Sequence, residues 1–171
     1  MSTPKDEYLI VIKNTQLIAF DLIIINEYNQ VLLGYRNNQP AKNTWFTFGS
    51  RVFKNETFEE ACIRVSINEI GTKINYKDCQ RKGIYKHNYH NNFDNDNYGT
   101  NYIVFAHTYY CNKNDIKING DNQHSGYLWF DIDDILSSKV NENSKDFHIL
   151  DEPLVHDYVK EYFKKNPSNI I

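Results

Sequence analysis

The sequence predicts an α+β fold, a mixed β-sheet flanked by helices, and three observations carry that expectation. Apolar, β-branched runs bounded by turn-type residues lie on both sides of one central amphipathic stretch. That stretch, from Thr57 to about Ile70, opens with a capping box and stops at a glycine, Gly71. Two further amphipathic segments, at about 4–14 and 151–165, place a helix near each end. The order of helix, strands, helix, strands, helix suits a sheet covered on both faces, an α/β/α sandwich.

Each element has a local cause. In "STPKDEYLIVIKN" Thr3 reads as an N-cap and Pro4 as a first-turn residue whose missing N–H costs nothing. "LIAFDLIIIN" and "QVLLGYRN", joined by "EYN", read as a hairpin, and "TWFTFGSRVF" as a short strand entering a loop. The helix from Thr57 follows. "RKGIYKHNY" and "TNYIVFAHTYYC" are strands around the polar loop "HNNFDNDNYG". "GYLWFDI" is a further strand running into a short helix at "DIDDILSS". In the segment "DEPLVHDYVKEYFKK", Asp151 is the expected cap and Pro153 lies in the first turn.

The chain of 171 residues is expected to form one domain over 1–171. With 22 acidic and 19 basic residues and no long basic run, it lacks the bulk charge that grips nucleic acid, so any bound phosphate must be met locally. Three cysteines without C-x-x-C spacing (Cys62, Cys79 and Cys111) argue against a disulfide framework or a zinc site and fit the cytoplasm. The N-terminal residues show no signal-peptide pattern, and no apolar run approaches a membrane span.

The residue that calls for chemistry is Glu69. At 100° per residue, Phe58, Ala61, Cys62 and Val65 fall on one side of the helix, and Ile63, Ile67 and Ile70 on nearly the opposite side. Glu69 projects with Phe58, Cys62 and Val65, where a charge loses hydration unless a cation or donors meet it. Either it is a metal ligand, or the helix end frays and the carboxylate reaches water.

The stretch Gly49–Gly71, "GSRVFKNETFEEACIRVSINEIG", resembles the Nudix box, G-x5-E-x7-R-E-U-x-E-E-x-G-U, with U aliphatic. Glu56, Arg64, Glu69 and Gly71 match its E, its R, the second residue of its E-E pair, and its G. Ser50 replaces the first glycine, and Val65 and Asn68 replace two glutamates. With "FDLIIIN", "VLLGYRNNQPAKNTWF", "HNNFDNDNYGTNY" and "DNQHSGYLWF" added, the likeness runs from about Leu17 to Phe147 and resembles a divergent Nudix branch, the GDP-mannose mannosyl hydrolases.

What that resemblance implies is specific. The fold would be a Nudix-type mixed sheet with flanking helices, and the protein a cytoplasmic homodimer. The reaction would be hydrolysis of GDP-mannose or a related GDP-hexose at the anomeric carbon, giving GDP and free sugar with inversion. One Mg2+ per site, with Mn2+ as a substitute, would be held by Glu69, the carbonyl of Gly49 and the side chain of Gln123. His124 matches the family's general base, and an imidazole pKa near 6.5 suits that task. Arg36 and Arg51 match residues facing the leaving diphosphate, and guanidinium groups meet phosphate bidentately. Arg64 matches the box arginine, either a phosphate contact or an ion pair with Glu56. Tyr102 matches a donor toward the diphosphate. Asp21, a carboxylate inside an apolar strand, matches an active-site position that holds the sugar or steers the histidine. His87 and Asn92 match the sugar-side loop.

Two departures bear on rate. Ser50 would cost about 1–2 kcal/mol if the glycine it replaces is left-handed, and Phe48 crowds the strand end beside Gly49. Two other functions remain open: an ordinary Nudix pyrophosphatase cleaving P–O–P, against which the missing glutamates count, and a catalytically weak nucleotide-sugar binding protein.

Overall fold

The computed structural model describes residues 4–94, 97–120, 123–137 and 155–171. Its elements are α1 (Lys5–Asn14), β1 (Leu17–Asn26), β2 (Gln30–Arg36), β3 (Trp45–Phe46), β4 (Phe48–Arg51), α2 (Phe58–Val65), β5 (Gln80–Tyr89), β6 (Thr100–Cys111), β7 (His124–Asp131), α3 (Ile132–Ser137) and α4 (Asp157–Phe163). The order of helices and strands is the one the sequence predicts, apart from one expected strand that is split in two.

The seven described strands form one mixed sheet, ordered β3-β2-β1-β6-β5, with β4 added to β1 and β7 to β2. Only β1 and β6 run parallel. The β1–β2 hairpin pairs over just Ile24↔Leu32 and Ile25↔Val31. Beyond that the two strands part: β4 takes β1 from Leu22↔Phe48 to Ala19↔Arg51, and β3 takes β2 at Gly34↔Phe46. The expected single strand at "TWFTFGSRVF" is therefore two, broken at Thr47, because each half pairs with a different arm of the opened hairpin.

Strand β1 is buried almost throughout, as a strand covered on both faces must be. Its alternation divides the core. Ala19, Ile23 and Ile25 pack with Val104, Tyr85 and the α3–α4 side, while Phe20, Leu22 and Ile24 pack with Phe48 and with Ala61, Cys62 and Val65 of α2. Cys62 and Cys79 are far apart in sequence, yet their Sγ atoms lie 3.9 Å apart as free thiols.

Several boundaries differ from the sequence expectation. Pro4 itself occupies the N-cap position of α1 with extended backbone and no side-chain cap, and Thr3 lies outside the described residues. Helix α4 starts at Asp157 and ends at Phe163, shorter than 151–165. The His156 ring caps it by accepting from Tyr158 N at 3.2 Å, and Val155 is held in an extended bridge to Trp45. The expected cap Asp151 and Pro153 lie outside the described residues. Segment 169–171 lies along the outer edge of β5: Lys86 N donates to Asn169 O and Ile171 N to Ile84 O, both at 2.8 Å.

Candidate active site

The box helix begins as its sequence demands. Thr57 Oγ accepts from Glu60 N at 3.2 Å, and Glu60 Oε2 accepts from Thr57 N at 2.9 Å. The α-helix then ends at Val65, and Ser66–Ile70 continue as a π-helical turn. Gly71, at φ 89°, closes it by donating to both Ser66 O and Ile67 O. The wider turn breaks the uniform 100° step. Ile67 and Asn68 face solvent, while Glu69 keeps the inward side that the regular step assigns it and is 2% exposed. The alternative in which Glu69 reaches water through a frayed end is excluded.

Glu69 meets the strand that carries Gly49. Val52 N donates to Ile18 O at 2.8 Å, so alternation along the antiparallel ladder turns both backbone polar groups of Gly49, opposite Asp21, away from β1. On that side Gly49 N donates to Glu69 Oε2 at 3.1 Å. The Gly49 carbonyl thus lies on the edge where the only buried carboxylate of the box helix sits. The backbone carbonyl of Glu69 is fixed by the Tyr127 hydroxyl at 2.9 Å.

Arg64 is committed to structure in this arrangement. Its Nε and Nη2 bind the two carboxylate oxygens of Glu56 at 2.5 and 2.8 Å. Nη1 donates to Ser50 Oγ at 2.6 Å, Nη2 also donates to Arg51 O at 3.0 Å, and the guanidinium lies 4.2 Å from the Phe53 ring. Burial raises the Glu56 pKa, but the Arg64 hydrogen bonds, the Phe53 backbone N–H and the Arg64 charge together more than offset it, leaving it below the ordinary value. Ser50 sits in an ordinary strand with a negative φ, so the left-handed penalty anticipated for it does not arise, and its hydroxyl serves Arg64.

On the α4 side of the sheet a cavity of about 70 Å³ is lined by Asp21, Arg36, Gly49, Arg51, His87 and Tyr102, among others. A second cavity of about 190 Å³ shares Arg36, Gly49, Arg51 and Tyr102 with it and adds Gln123, Tyr8 and Phe93. Seven residues named from sequence are thereby brought together: Asp21, Arg36, Gly49, Arg51, His87, Tyr102 and Gln123. Arg36 Nε donates to Pro40 O at 3.1 Å, and the Arg51 guanidinium lies 3.8 Å from the Tyr8 ring. Burial and the neighbouring Tyr8 push the Tyr102 phenol well above its usual pKa, so it is a donor at neutral pH.

Asp21 is 5% exposed, and burial raises its pKa to about 6, against the lowering effects of a Tyr162 hydrogen bond and the Arg36 charge. The Tyr162 hydroxyl donates to Asp21 Oδ2 at 2.6 Å and lies 3.3 Å from His87 Nε2. His87 stacks face to face on Tyr158 at 4.0 Å, and burial followed by the nearby His156 lowers its pKa to about 3. Tyr158 and Tyr162 escaped the sequence reading. Thirteen tyrosines make any one of them unremarkable, and the only available signal is their i, i+4 spacing on one helix face.

The remaining named residues lie apart. His124, 5% exposed, packs against Gly34 in the paired strand β2, where a Cβ would come within 2.4 Å of its ring. Phe48 meets it edge-on at 5.5 Å and Tyr127 lies 5.7 Å away, so His124 lines neither cavity although its neighbour Gln123 does. Phe48 is thus a core residue on the α2 side. Asn92 is fully buried and shapes its own loop, donating to Tyr98 O and accepting from Asp94 N, both at 2.9 Å.

A mixed sheet with α2 on one face, α3 and α4 on the other, and the box helix set against the edge of β4 defines the Nudix class of fold. The chain belongs to the NUDIX domain family, which it matches over residues 15–151. It is 41% identical over 86 residues to the low-salt glycan biosynthesis protein Agl8 of Haloferax volcanii, covering 50% of this chain and 53% of that one. The chain spans about half the length of the curated relatives it matches, 53% for that protein and 40% for a nudix-named relative from Caenorhabditis elegans. Among solved structures it is similar to the MutT protein of Methanosarcina mazei, at TM-score 0.64 and 19% identity, covering 90% of this chain and 94% of that one. The NUDIX domain of Shewanella oneidensis NrtR, crystallised with ADP ribose, is similar at TM-score 0.59 and 18% identity, covering 94% and 97%. No helix among the described residues is long and apolar enough to cross a membrane.

Proposed function

We propose that this Nudix hydrolase cleaves GDP-mannose or a related GDP-hexose at the anomeric C–O bond, releasing GDP and the free sugar with inversion. The observation that supports this most is the pairing of charges around one cavity. Arg36 and Arg51 supply two cations for a diphosphate, and Asp21 supplies a carboxylate where a sugar and its attacking water would lie. The box helix next to it offers a single buried carboxylate, Glu69, too few for the several cations used in attack at phosphorus. Among the described residues no group of three or more His, Cys, Asp or Glu is placed to hold a metal.

The donor types fit one hard dication nonetheless. Glu69, the Gly49 carbonyl and the Gln123 amide are all oxygen donors, and the first two meet at the same strand edge. When bound there, Mg2+ or Mn2+ would neutralise charge on the departing diphosphate. The protein's own residues do the rest. Arg36 and Arg51 hold the diphosphate oxygens, and the Tyr102 hydroxyl donates to them. Water attacks the anomeric carbon while Asp21 accepts its proton, and the C–O bonding pair leaves with GDP. Asp21 takes this role in preference to His124 because it lines the cavity and His124 does not.

The glycan-biosynthesis name of the Haloferax relative and the ADP ribose in the Shewanella domain favour a nucleotide sugar as substrate class. A cytoplasmic homodimer follows from the resemblance alone and would be tested by sedimentation. A second reading, a nucleotide-sugar binding protein with little turnover, draws on the burial of His124 away from the cavities. Phosphorus NMR of GDP-mannose products in 18O water separates the readings. GDP with label in the sugar supports the proposal, GMP with label at phosphorus replaces it with pyrophosphatase chemistry, and binding without turnover leaves the second.

A further inference from the structure

We infer that Tyr162 is a positioning residue, whose single hydroxyl proton fixes both the Asp21 carboxylate and the tautomer of His87. It lies on α4, beyond the residues 15–151 that match the domain family. Its catalytic consequence rests on the hydrolase reading above; its structural content does not.

The argument is a proton count. A phenol has one proton to give and lone pairs to receive with. An ionised carboxylate only accepts, so the bond of 2.6 Å between Tyr162 and Asp21 Oδ2 uses that proton. The contact of 3.3 Å from the same oxygen to His87 Nε2 is then a hydrogen bond only if His87 Nε2 carries the hydrogen. Burial keeps the ring neutral, so its other nitrogen, Nδ1, is an acceptor. Asp21 and His87 both line the cavity, and the rule imposed from α4 leaves each of them an acceptor atom, a carboxylate oxygen and Nδ1, the kind that suits hydroxyl-bearing ligands.

The surroundings leave little freedom to break the rule. Tyr162 is 1% exposed and set edge-on against Tyr85 at 4.8 Å. His87 is stacked on Tyr158 with an interplanar angle of 1°. The Tyr158 hydroxyl is itself held by Asn88, accepting from its N–H at 2.7 Å and donating to its carbonyl at 2.8 Å. Asp21, His87 and Tyr162 come from β1, β5 and α4, so one hydroxyl joins two strands of the sheet to the helix that covers them.

The test is a two-bond 1H–15N correlation spectrum of the histidine-labelled protein at pH 8, with His87 assigned by its loss in His87→Gln. The wild type should show His87 protonated on Nε2, and Tyr162→Phe, which keeps the ring and removes the hydroxyl, should move it toward the Nδ1-protonated form. Tyr162→Phe should also lower kcat on GDP-mannose about 10-fold with KM within about twofold, the scale for a misplaced supporting group. Tyr85→Phe should leave the tautomer and kcat unchanged. A wild-type His87 protonated on Nδ1 overturns the inference even if the variant fails to fold. So does an unmoved tautomer in Tyr162→Phe, unchanged kcat in a hydrolytically active variant, or an equal response in Tyr85→Phe. A moved tautomer in a protein that hydrolyses no GDP-hexose upholds the positioning role and removes the hydrolase reading instead.

Discussion

On the α2 side of the sheet the carboxylate Glu56 is met by a cation, the bidentate guanidinium of Arg64, whereas on the α4 side Asp21 is met by a neutral hydroxyl, that of Tyr162. The outcomes differ in sign. Glu56 ends below the ordinary glutamate pKa despite its desolvation, and Asp21 ends above the ordinary aspartate value, at about 6. A full countercharge stabilises the ionised form so well that the group becomes a fastener. A hydrogen bond from a phenol holds the carboxylate in place while leaving it willing to take a proton. The box arginine and its glutamate therefore build the loop from Ser50 to Glu56, whereas Asp21 faces the cavity on the α4 side.

The largest expected effect bears directly on that division. Asp21→Asn should lower kcat about 100- to 10,000-fold, the usual worth of a general base, with nucleotide affinity retained by the arginines. His124→Gln, behind Gly34 and Phe48, should cost less than about 10-fold by the same measure. Steady-state kinetics on GDP-mannose decides it, and the reverse ranking would return the base to β7 and break the comparison.

Glu69→Gln comes next, because it removes the one carboxylate that the box helix buries. The Mg2+ concentration needed for half-maximal activity should rise about 10- to 100-fold, and Mn2+ binding followed by electron paramagnetic resonance should weaken in parallel. Unchanged Mn2+ affinity would remove Glu69 from the metal site.

Smaller effects concern stability alone. Glu56→Gln should cost about 1–3 kcal/mol in urea unfolding at pH 7, since it leaves a half-buried guanidinium poorly matched. Because the folded-state pKa of Glu56 is depressed, its contribution is fully present above the unfolded glutamate value and is lost as pH falls through the folded one. The variant should therefore show a shallower loss of stability in acid than the wild type. Gly34→Ala should cost a similar 1–3 kcal/mol by overpacking against the His124 ring, and wild-type stability in that variant would mean the ring moves readily.

Much of this was legible in the sequence. Strands β1, β2, β5 and β6 announced themselves by apolar runs, and α2 by its capping box, because those signals are local. The π-helical turn at Ser66–Ile70 was not, since an i→i+5 bond leaves no mark on composition, although the inward direction of Glu69 already followed from the regular helical step. The break at Thr47 depends on which partner each half-strand finds. The cavity-lining residues on β1, β2, β4, β5 and β6 could be named because the family resemblance fixes them in sequence. The placement of His124 could not, since one step along the chain moves a residue from the cavity at Gln123 to the packed interior. Tyr162 acts from 141 positions away from Asp21, a separation that no local pattern records.

The segment 169–171 has a consequence for self-association. By bonding to Ile84 and Lys86 it occupies the middle of the outer rim of β5, so the backbone groups that those two residues would offer to another copy are already filled. Growth of the sheet by recruitment of a second molecule is blocked along that stretch of the rim. Mutations that loosen Asn169 or Ile170 would reopen the rim, and their signature would be concentration-dependent aggregation with the catalytic constants untouched.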